Sequence, residues 1–210
     1  MKIRNEMSRE EERKIKNLAI NIDMVNGFVK EGSLAAPSIM RVVPRQIELL
    51  NDYLNDDDKA MIFIRDEHTG NSVEFKTFGI HCLQGTKETR VIDELKEYQK
   101  NAYDFTKNST NFVFAPGFRE QIERLENLKT VLLMGCLSEV CVKNGGITLR
   151  NYFDQINRNI DIYVAEDAID TYDAPGHNAE EVTMRAIEDM KANGIKVLAK
   201  KEGGAKNGNI

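Results

Sequence analysis

The chain has 210 residues, of which 41% are hydrophobic and 30% are charged, and its formal net charge is −5. A chain of this length can bury one sizeable core, so we expect a single domain. Its 29 basic residues are scattered, which argues against a nucleic-acid-binding surface and favours a small-molecule substrate. Three cysteines without a signal peptide do not predict a disulfide framework, and no apolar run reaches the roughly 18 residues of a membrane span. We therefore expect a cytoplasmic protein with no membrane partner.

The two ends of the chain differ in composition from its middle. Residues 1–16 are almost entirely polar and are predicted to form an N-terminal arm. Residues 203–210 are rich in Gly and Asn and are predicted to be a flexible tail. The folded domain is accordingly expected at 17–202.

Six short apolar runs alternate with segments of helical period between these ends. The predicted strands are 17–23, 59–66, 111–116, 130–136, 160–168 and 195–200. Two segments repeat apolar residues at helical spacing, and Gly194 follows the second as a C-terminal cap. The repeating residues are Val43, Ile47, Leu50 and Leu54, then Val182, Ala186, Ile187 and Met190. The alternation predicts a Rossmann-like α/β protein with three α/β/α layers around a central, mostly parallel six-stranded sheet.

Residues with ionisable or nucleophilic side chains lie at or near the ends of several predicted strands. Asp23 ends the first strand and Asp66 the second, Lys107 stands just before the third, and the fourth leads into "GCLSEVCV". In open α/β sheets, the loops beyond the carboxyl ends of the strands face a common crevice. A carboxylate, an ammonium and a thiol are groups that cysteine-dependent amide chemistry requires. The sequence therefore predicts a site at this edge of the sheet.

Two of the three cysteines lie in the stretch "GCLSEVCV". A helix that begins near Cys141 would put its thiol in the first turn, where free N–H groups and the helix dipole lower a thiol pKa. Cys136, still on the strand, is predicted to pack as a small hydrophobic residue. Cys141 is therefore the candidate nucleophile, and the alternative that both are buried structural cysteines stays open.

A second group of candidate residues lies in the stretch "RDEHTGNSVEFKTFGIHC". It contains Asp66, His68 and His81, and a carboxylate with two imidazoles is a common ligand set for a divalent transition metal. Glu74 is a further candidate ligand. The spacing is not that of a rigid metal motif, so surface or capping histidines are the alternative. His177, which precedes a predicted helix, is interpreted as turn or capping chemistry.

Several segments of the chain, in order, carry a family resemblance. They are "AINIDMVNGF", "GSLAAPSIMRVVPRQIELL", "DEHTG", "FGIHCLQGT", "TKNSTNF" and "GCLSEVCV". Together they resemble the cysteine hydrolase superfamily that contains isochorismatases, nicotinamidases and N-carbamoylsarcosine amidases. The resemblance extends from about Leu18 to about Val197. It implies an isochorismatase-type α/β fold for this domain.

The resemblance also implies a catalytic role for each strand-end residue. Cys141 would be the nucleophile, Asp23 the general base, and Lys107 the group that holds Asp23 and stabilises charge near the thiolate. The backbone N–H groups of Leu137 and Cys141 would form the oxyanion hole. The peptide bond between Cys136 and Leu137 is expected to be cis.

Within the superfamily, the chain is most similar to nicotinamidases, which keep an aspartate and two histidines at the positions of Asp66, His68 and His81. This implies a divalent metal, with zinc expected first and iron or manganese as alternatives, that positions the pyridine ring of nicotinamide. Phe28 and Phe78 match the aromatic wall beside that ring. The implied reaction is hydrolysis of nicotinamide to nicotinate and ammonia through a cysteine thioester. The resemblance also implies a homo-oligomer.

Two other functions stay open. The first is a related cysteine hydrolase that acts on a different small amide or ureido compound, because the chain lacks the tryptophans that nicotinamidases often have beside the metal-ligand positions. The second is a non-catalytic interaction module, against which the intact set of Asp23, Lys107 and Cys141 argues. Ser138 and Glu139 stand where the family usually has Thr-Asp, a conservative change that is expected to preserve the turn.

Overall fold

A sheet of six parallel strands forms the centre of the computed structural model, which describes residues 7–200. The strands are β1 Asn17–Ile22, β2 Lys59–Asp66, β3 Tyr103–Lys107, β4 Thr130–Cys136, β5 Asp161–Asp170 and β6 Lys196–Leu198. They lie in the order β3-β2-β1-β4-β5-β6, and every neighbouring pair is parallel. The predicted α/β class with a central six-stranded sheet is confirmed.

Helices cover both faces of this sheet. They are α1 Arg9–Glu12, α2 Asn26–Val29, α3 Val43–Leu54, α4 Phe75–Phe78, α5 Lys96–Gln99, α6 Phe118–Arg124, α7 Lys143–Gln155 and α8 Ala179–Ala192. Phe118 of α6, Phe153 of α7 and Met190 of α8 are buried in the core on one face. Phe28 of α2 and Leu50 of α3 are buried in the core on the other. Adjacent residues of each central strand point to opposite faces, so the same apolar strands contribute side chains to both cores.

The predicted third strand, 111–116, is wrong. This segment contains the 3₁₀ turn Phe112–Phe114, and the third strand is Tyr103–Lys107. Because β3 lies at the edge of the sheet and buries only its two end residues, its sequence "YDFTK" lacks the apolar run of a central strand. The apolar segment instead buries Phe112 against α7, where a Cβ on Gly145 would lie 2.1 Å from the phenyl ring. Of the other predicted strands, 59–66 and 130–136 match β2 and β4, and the remaining three differ from the observed strands by one or two residues at an end.

The ends of the chain are only partly described. Residues 9–12 of the predicted arm form α1, and Glu12 is buried and accepts hydrogen bonds from Gln121 and Arg124. The predicted tail at 203–210 lies outside the described residues, and the division of the chain at 17–202 stays a prediction. In the part of the chain that the structure describes, every helix is too short or too polar to cross a membrane.

The order of the strands creates a crevice between β1 and β4. The chain builds β2 and β3 on one side of β1 and then β4, β5 and β6 on the other, so the loops after β1 and β4 diverge at their carboxyl ends. Gly135 of β4 pairs with Ile22 of β1 and has a φ of +125°. A Cβ there would lie 2.0 Å from the carbonyl oxygen of Ile22, so only glycine permits this close approach.

Candidate active site and metal centre

Three predicted catalytic side chains meet at the carboxyl ends of the central strands. Asp23 directly follows β1, and Lys107 is the last residue of β3 instead of preceding the third strand as predicted. Cys141 lies in the π-helical turn Ser138–Val142, which joins β4 to α7. Asp23 is 0% exposed, Lys107 2% and Cys141 5%. Charged groups this deeply buried require partners, which they find in one another.

The ammonium group of Lys107 lies at the centre of the cluster. Its Nζ is 2.9 Å from Asp23 Oδ2, 2.7 Å from Asp66 Oδ1 and 3.6 Å from Cys141 Sγ. Among the described residues, no donor makes a well-directed hydrogen bond to either carboxylate oxygen of Asp23, so its contact with Lys107 is an ion pair with a poor hydrogen-bond angle. Asp23 therefore keeps lone pairs available to accept a proton.

Burial dominates the ionisation of this cluster. Desolvation raises the pKa of Asp23 from 3.8 to about 6, against the opposing charge of Lys107. Desolvation also raises the pKa of Cys141 well above its ordinary value, again opposed by Lys107. The expectation of a lowered Cys141 pKa is wrong for this structure, because the burial of the thiol outweighs the helix dipole. Cys141 thus holds its proton at neutral pH, when Asp23 is ionised and can accept it.

The turn that carries Cys141 also carries the predicted oxyanion donors, the N–H groups of Leu137 and Cys141. The Leu137 carbonyl accepts a hydrogen bond from Val142 N–H at 3.1 Å, which closes the turn. The Cys136–Leu137 peptide bond is cis, as the family resemblance implies. Cys136 is fully buried, and its thiol donates to the main-chain carbonyl of Asp23 at 3.2 Å. Cys136 is thus more than a packing residue, because its hydrogen bond joins β4 to Asp23.

The predicted metal ligands also lie together. Asp66, His68, Glu74 and His81 each place one ligand atom within 4.8 Å of the others. His68 Nε2 is 2.9 Å from Asp66 Oδ2, 3.0 Å from His81 Nε2 and 3.9 Å from Glu74 Oε1. With metal–ligand bonds of about 2.0–2.1 Å, the ligand atoms of a tetrahedral zinc site stand about 3.3 Å apart. The observed spacing therefore fits a small divalent ion.

The protonation of the two histidines supports the same conclusion. His68 Nδ1 is 3.0 Å from Asn108 Oδ1, and His81 Nδ1 is 2.9 Å from the carbonyl oxygen of Gly79. Because both oxygens only accept, each Nδ1 carries a proton and each Nε2 of a neutral ring turns its lone pair towards Asp66. A cation held between these three atoms would relieve the repulsion among their lone pairs. Burial alone would lower the pKa of His68, but its hydrogen bond to Asp66 raises the pKa overall, as expected where a proton takes the place of that cation.

Asp66 joins the metal-ligand group to the catalytic group. Its Oδ1 accepts a hydrogen bond from Lys107, while its Oδ2 lies beside both histidine Nε2 atoms. Burial acts to raise the pKa of Asp66, but the Lys107 charge and the histidine hydrogen bonds lower it overall. Asp66 is therefore an ionised carboxylate that the two groups share.

Aromatic rings surround His81. Its ring centroid is 5.7 Å from that of Phe28, 5.8 Å from Phe75 and 6.4 Å from Phe78. The structure thus brings both predicted aromatic residues beside the metal-ligand group, with Phe28 4% exposed and Phe78 39% exposed. Phe75 was not predicted, although it stands three residues before Phe78, a spacing that puts both rings on one side of a helix.

Comparison with solved structures shows the same fold in several hydrolases. A pyrazinamidase of Pyrococcus horikoshii in complex with zinc is 23% identical, with a TM-score of 0.69 over 88% of this chain and 99% of that one. A nicotinamidase of Bacillus subtilis is 19% identical, with a TM-score of 0.71 over 87% and 99%. An N-carbamoylsarcosine amidase of Thermoplasma acidophilum is 23% identical, with a TM-score of 0.67 over 91% and 100%. At these identities, the likeness shows the fold alone.

Comparison at the level of sequence identifies the family. No curated protein matches the chain. The family model described as the isochorismatase domain matches residues 17–202, which is nearly the whole chain. Because of that match, the protein belongs to the isochorismatase family, and the predicted enzyme class is confirmed as a hydrolase of the isochorismatase type.

Proposed function

We propose that this protein hydrolyses nicotinamide, or a closely similar pyridine carboxamide, to the carboxylate and ammonia. The observation that carries the proposal is the group of Asp66, His68 and His81 directly beside Lys107 and Cys141. A cysteine, a carboxylate and a lysine are sufficient for amide hydrolysis on their own. An adjoining set of metal ligands is explained by a substrate that carries a second nitrogen donor near its amide.

The first half of the reaction forms a thioester. Asp23 accepts the thiol proton of Cys141, and the sulfur attacks the amide carbon. The negative charge that develops on the amide oxygen is received by the backbone N–H groups of Leu137 and Cys141. Lys107 stabilises the anionic sulfur and carboxylate throughout, because its Nζ lies within 3.6 Å of both. Asp23 then returns its proton to the leaving nitrogen, and ammonia departs.

The second half of the reaction uses the same groups again. Asp23, once more a carboxylate, accepts a proton from a water molecule, whose oxygen attacks the thioester carbon. The same backbone N–H groups receive the second oxyanion. The bond to Cys141 breaks, the acid product leaves, and the proton from Asp23 restores the thiol. At the end of the cycle, Asp23 is again a carboxylate and Cys141 is again a thiol.

In this proposal, the metal ligands serve to orient the substrate. Asp66, His68 and His81 would hold a divalent ion, with zinc expected first, and Glu74 would be a further ligand or would bind through water. Such an ion supplies a Lewis-acidic contact for the ring nitrogen of a pyridine amide. Phe28 and Phe78 would pack against the ring and exclude water from the carbonyl.

A second candidate is hydrolysis of a carbamoyl or ureido compound. The likeness to the N-carbamoylsarcosine amidase of Thermoplasma acidophilum favours this candidate at the level of the fold. It uses the same nucleophile and base, but it gives the two histidines no direct contact with substrate. The metal-ligand group therefore makes it the weaker of the two.

Release of ammonia from a panel of amides tests the proposal. Purified protein is assayed with nicotinamide, benzamide and N-carbamoylsarcosine, beside the Cys141→Ala variant as a blank. We expect nicotinamide to have a kcat/KM at least about a hundredfold above that of benzamide, which lacks the ring nitrogen. A preference for N-carbamoylsarcosine would overturn the proposal in favour of the second candidate.

A further inference from the structure

The carboxylate of Glu139 is held from three directions inside the turn that carries Cys141. Its Oε1 accepts a hydrogen bond from Thr171 Oγ1 at 2.9 Å and lies 3.2 Å from His177 Nε2. Its Oε2 accepts a hydrogen bond from Ser138 Oγ at 3.3 Å. Thr171 directly follows β5, and His177 lies in the loop before α8. The turn is thus attached to two other segments through one side chain.

The surroundings of His177 fix how it meets Glu139. Its Nδ1 is 2.9 Å from the main-chain carbonyl oxygen of Tyr172, and its ring stacks on the Tyr172 ring at a centroid distance of 4.0 Å and an angle of 1°. A carbonyl only accepts, and an ionised carboxylate only accepts. One acceptor therefore lies beside each ring nitrogen of His177, and this pairing fixes the orientation of the ring. The interpretation of His177 as a turn or capping residue does not account for its contact with Glu139.

The π-helical turn that carries Cys141 needs side-chain contacts to neighbouring segments to keep its geometry. Turns of this type are rare and are found mostly as single turns near functional sites. Ser138 makes the second attachment, because its Oγ lies 2.8 Å from Thr183 Oγ1 on α8 and both side chains are buried. Glu139 and His177 are less deeply buried, with 18% and 23% of their side chains exposed. The contact between them is therefore partly shielded from water.

We propose that Glu139 and His177 are positioning residues for the nucleophile. Held by His177 and Thr171, Glu139 fixes the turn so that the Cys141 thiol stays at Lys107 and the N–H groups of Leu137 and Cys141 stay aimed at one point. Neither residue contacts the thiol or the ammonium group. The inference rests on the proposed function only in taking Cys141 as the nucleophile, and it holds for any amide substrate.

The test uses His177→Phe, which keeps an aromatic ring for Tyr172 but removes the donor to Glu139. Met184→Ala, a change at a half-exposed side chain on α8, is the matched control. Carboxamidomethylation by iodoacetamide is followed separately at Cys141 and Cys82 by peptide mass spectrometry. Cys82 is buried outside the turn, so it reports global opening of the fold. Steady-state kinetics with nicotinamide give kcat and KM for each variant.

We expect His177→Phe to label Cys141 at least about fivefold faster than the control, with Cys82 labelled at the control rate, because only the turn is released. We expect kcat to fall about tenfold while KM changes less than about twofold, since ground-state binding lies elsewhere. Unchanged labelling of Cys141 would overturn the inference. A parallel rise at Cys141 and Cys82 would also overturn it, because that result indicates general destabilisation.

Variants of Glu139 keep the inference testable if His177→Phe does not fold. Glu139→Ala removes every contact and is expected to label Cys141 as fast as His177→Phe. Glu139→Gln keeps an oxygen that accepts from Thr171 and is expected to stay within about threefold of wild type. Equal labelling of Cys141 in wild type and both variants would overturn the inference. If wild type hydrolyses none of the tested amides, the proposed substrate fails, but the labelling experiment still decides the role of Glu139 and His177.

Discussion

In the proposed reaction, Asp23 carries out two opposed tasks, because it accepts a proton from a thiol and then gives that proton to a leaving amine. An ordinary aspartate is too weak a base for the first task. Burial at 0% exposure raises its pKa to about 6, which brings it closer to neutrality, while the nearby Lys107 keeps the carboxylate form accessible. The balance between burial and the ammonium charge therefore sets the strength of the base.

This balance predicts the acidic limb of the pH–rate profile. The pKa of Asp23 is raised, so the carboxylate is protonated as pH falls through about 6 and can no longer accept the thiol proton. We expect kcat/KM to fall about tenfold for each pH unit below about 5.5 and to level off above about 7. A profile that stays flat down to pH 4.5 would exclude Asp23 as the base.

The role of Cys141 predicts the effect of its removal. Cys141→Ala is expected to lower kcat by at least about 10⁴-fold while Tm changes by only a few degrees, because the side chain is small and the turn keeps its backbone contacts. Cys82→Ala removes another buried thiol and is the matched control, expected to keep at least about a third of wild-type activity. Appreciable turnover by Cys141→Ala would mean that another group is the nucleophile.

Asn108 is expected to contribute to metal affinity although it is not itself a predicted metal ligand. Its side-chain oxygen fixes the proton on His68 Nδ1 and so presents His68 Nε2 as a ligand. Asn108→Ala should weaken metal affinity by about 10–100-fold, measured by competition with a chromogenic chelator. Ser109→Ala, at the next position, is the control and should bind metal as wild type does. Equal affinities in the two variants would contradict this arrangement of the histidine.

The residue types of the site could be predicted from the sequence, but their ionisation could not. Asp23, Lys107 and Cys141 stand near the ends of predicted strands, and the shared edge of a parallel sheet then brings them together. The pKa of Cys141 depends on how deeply the turn is buried, which no local pattern records. Asn108 and Phe75 were missed for a related reason, because their contacts with His68 depend on packing between segments.

At the scale of elements, β3 shows where a sequence pattern fails. An edge strand exposes most of its side chains, so it does not need an apolar run, whereas a buried 3₁₀ turn can contain one. The segment 111–116 was therefore predicted as a strand, and "YDFTK" was not. The central strands β1, β2 and β4 are buried on both faces, and their continuous apolar runs fixed their positions to within one residue.

Because β4 comes so close to β1 at Gly135, adding a single methyl group there should destabilise the fold. Gly135 has a φ of +125°, and a Cβ there would lie 2.0 Å from the backbone of Ile22. Gly135→Ala should therefore lower the free energy of unfolding by roughly 3 kcal/mol or more, through backbone strain and steric overlap. Gly70→Ala is the control, because a Cβ at Gly70 meets nothing within 4 Å. Similar urea midpoints for the two variants would contradict the close approach of the strands.

At the scale of the whole molecule, the order of the strands explains why two chemical groups share one crevice. The reversal between β1 and β4 separates the loops that follow them, and β2 and β3 bring the metal-ligand segment and Lys107 to the same edge. Asp66 and Lys107 are paired in register across β2 and β3, so sheet geometry itself sets their contact. The predicted homo-oligomer stays a prediction that sedimentation of the purified protein would test.

The central claim is that the metal-ligand group selects a pyridine amide for the cysteine beside it. The most direct test is the ratio of kcat/KM for nicotinamide to that for benzamide, measured in metal-loaded protein, in chelator-treated protein and after zinc is restored. We expect the ratio to fall at least about tenfold on chelation, to recover with zinc, and to stay low in His68→Ala. A ratio that is the same in all four samples would contradict the claim, because the metal-ligand group would then take no part in choosing the substrate.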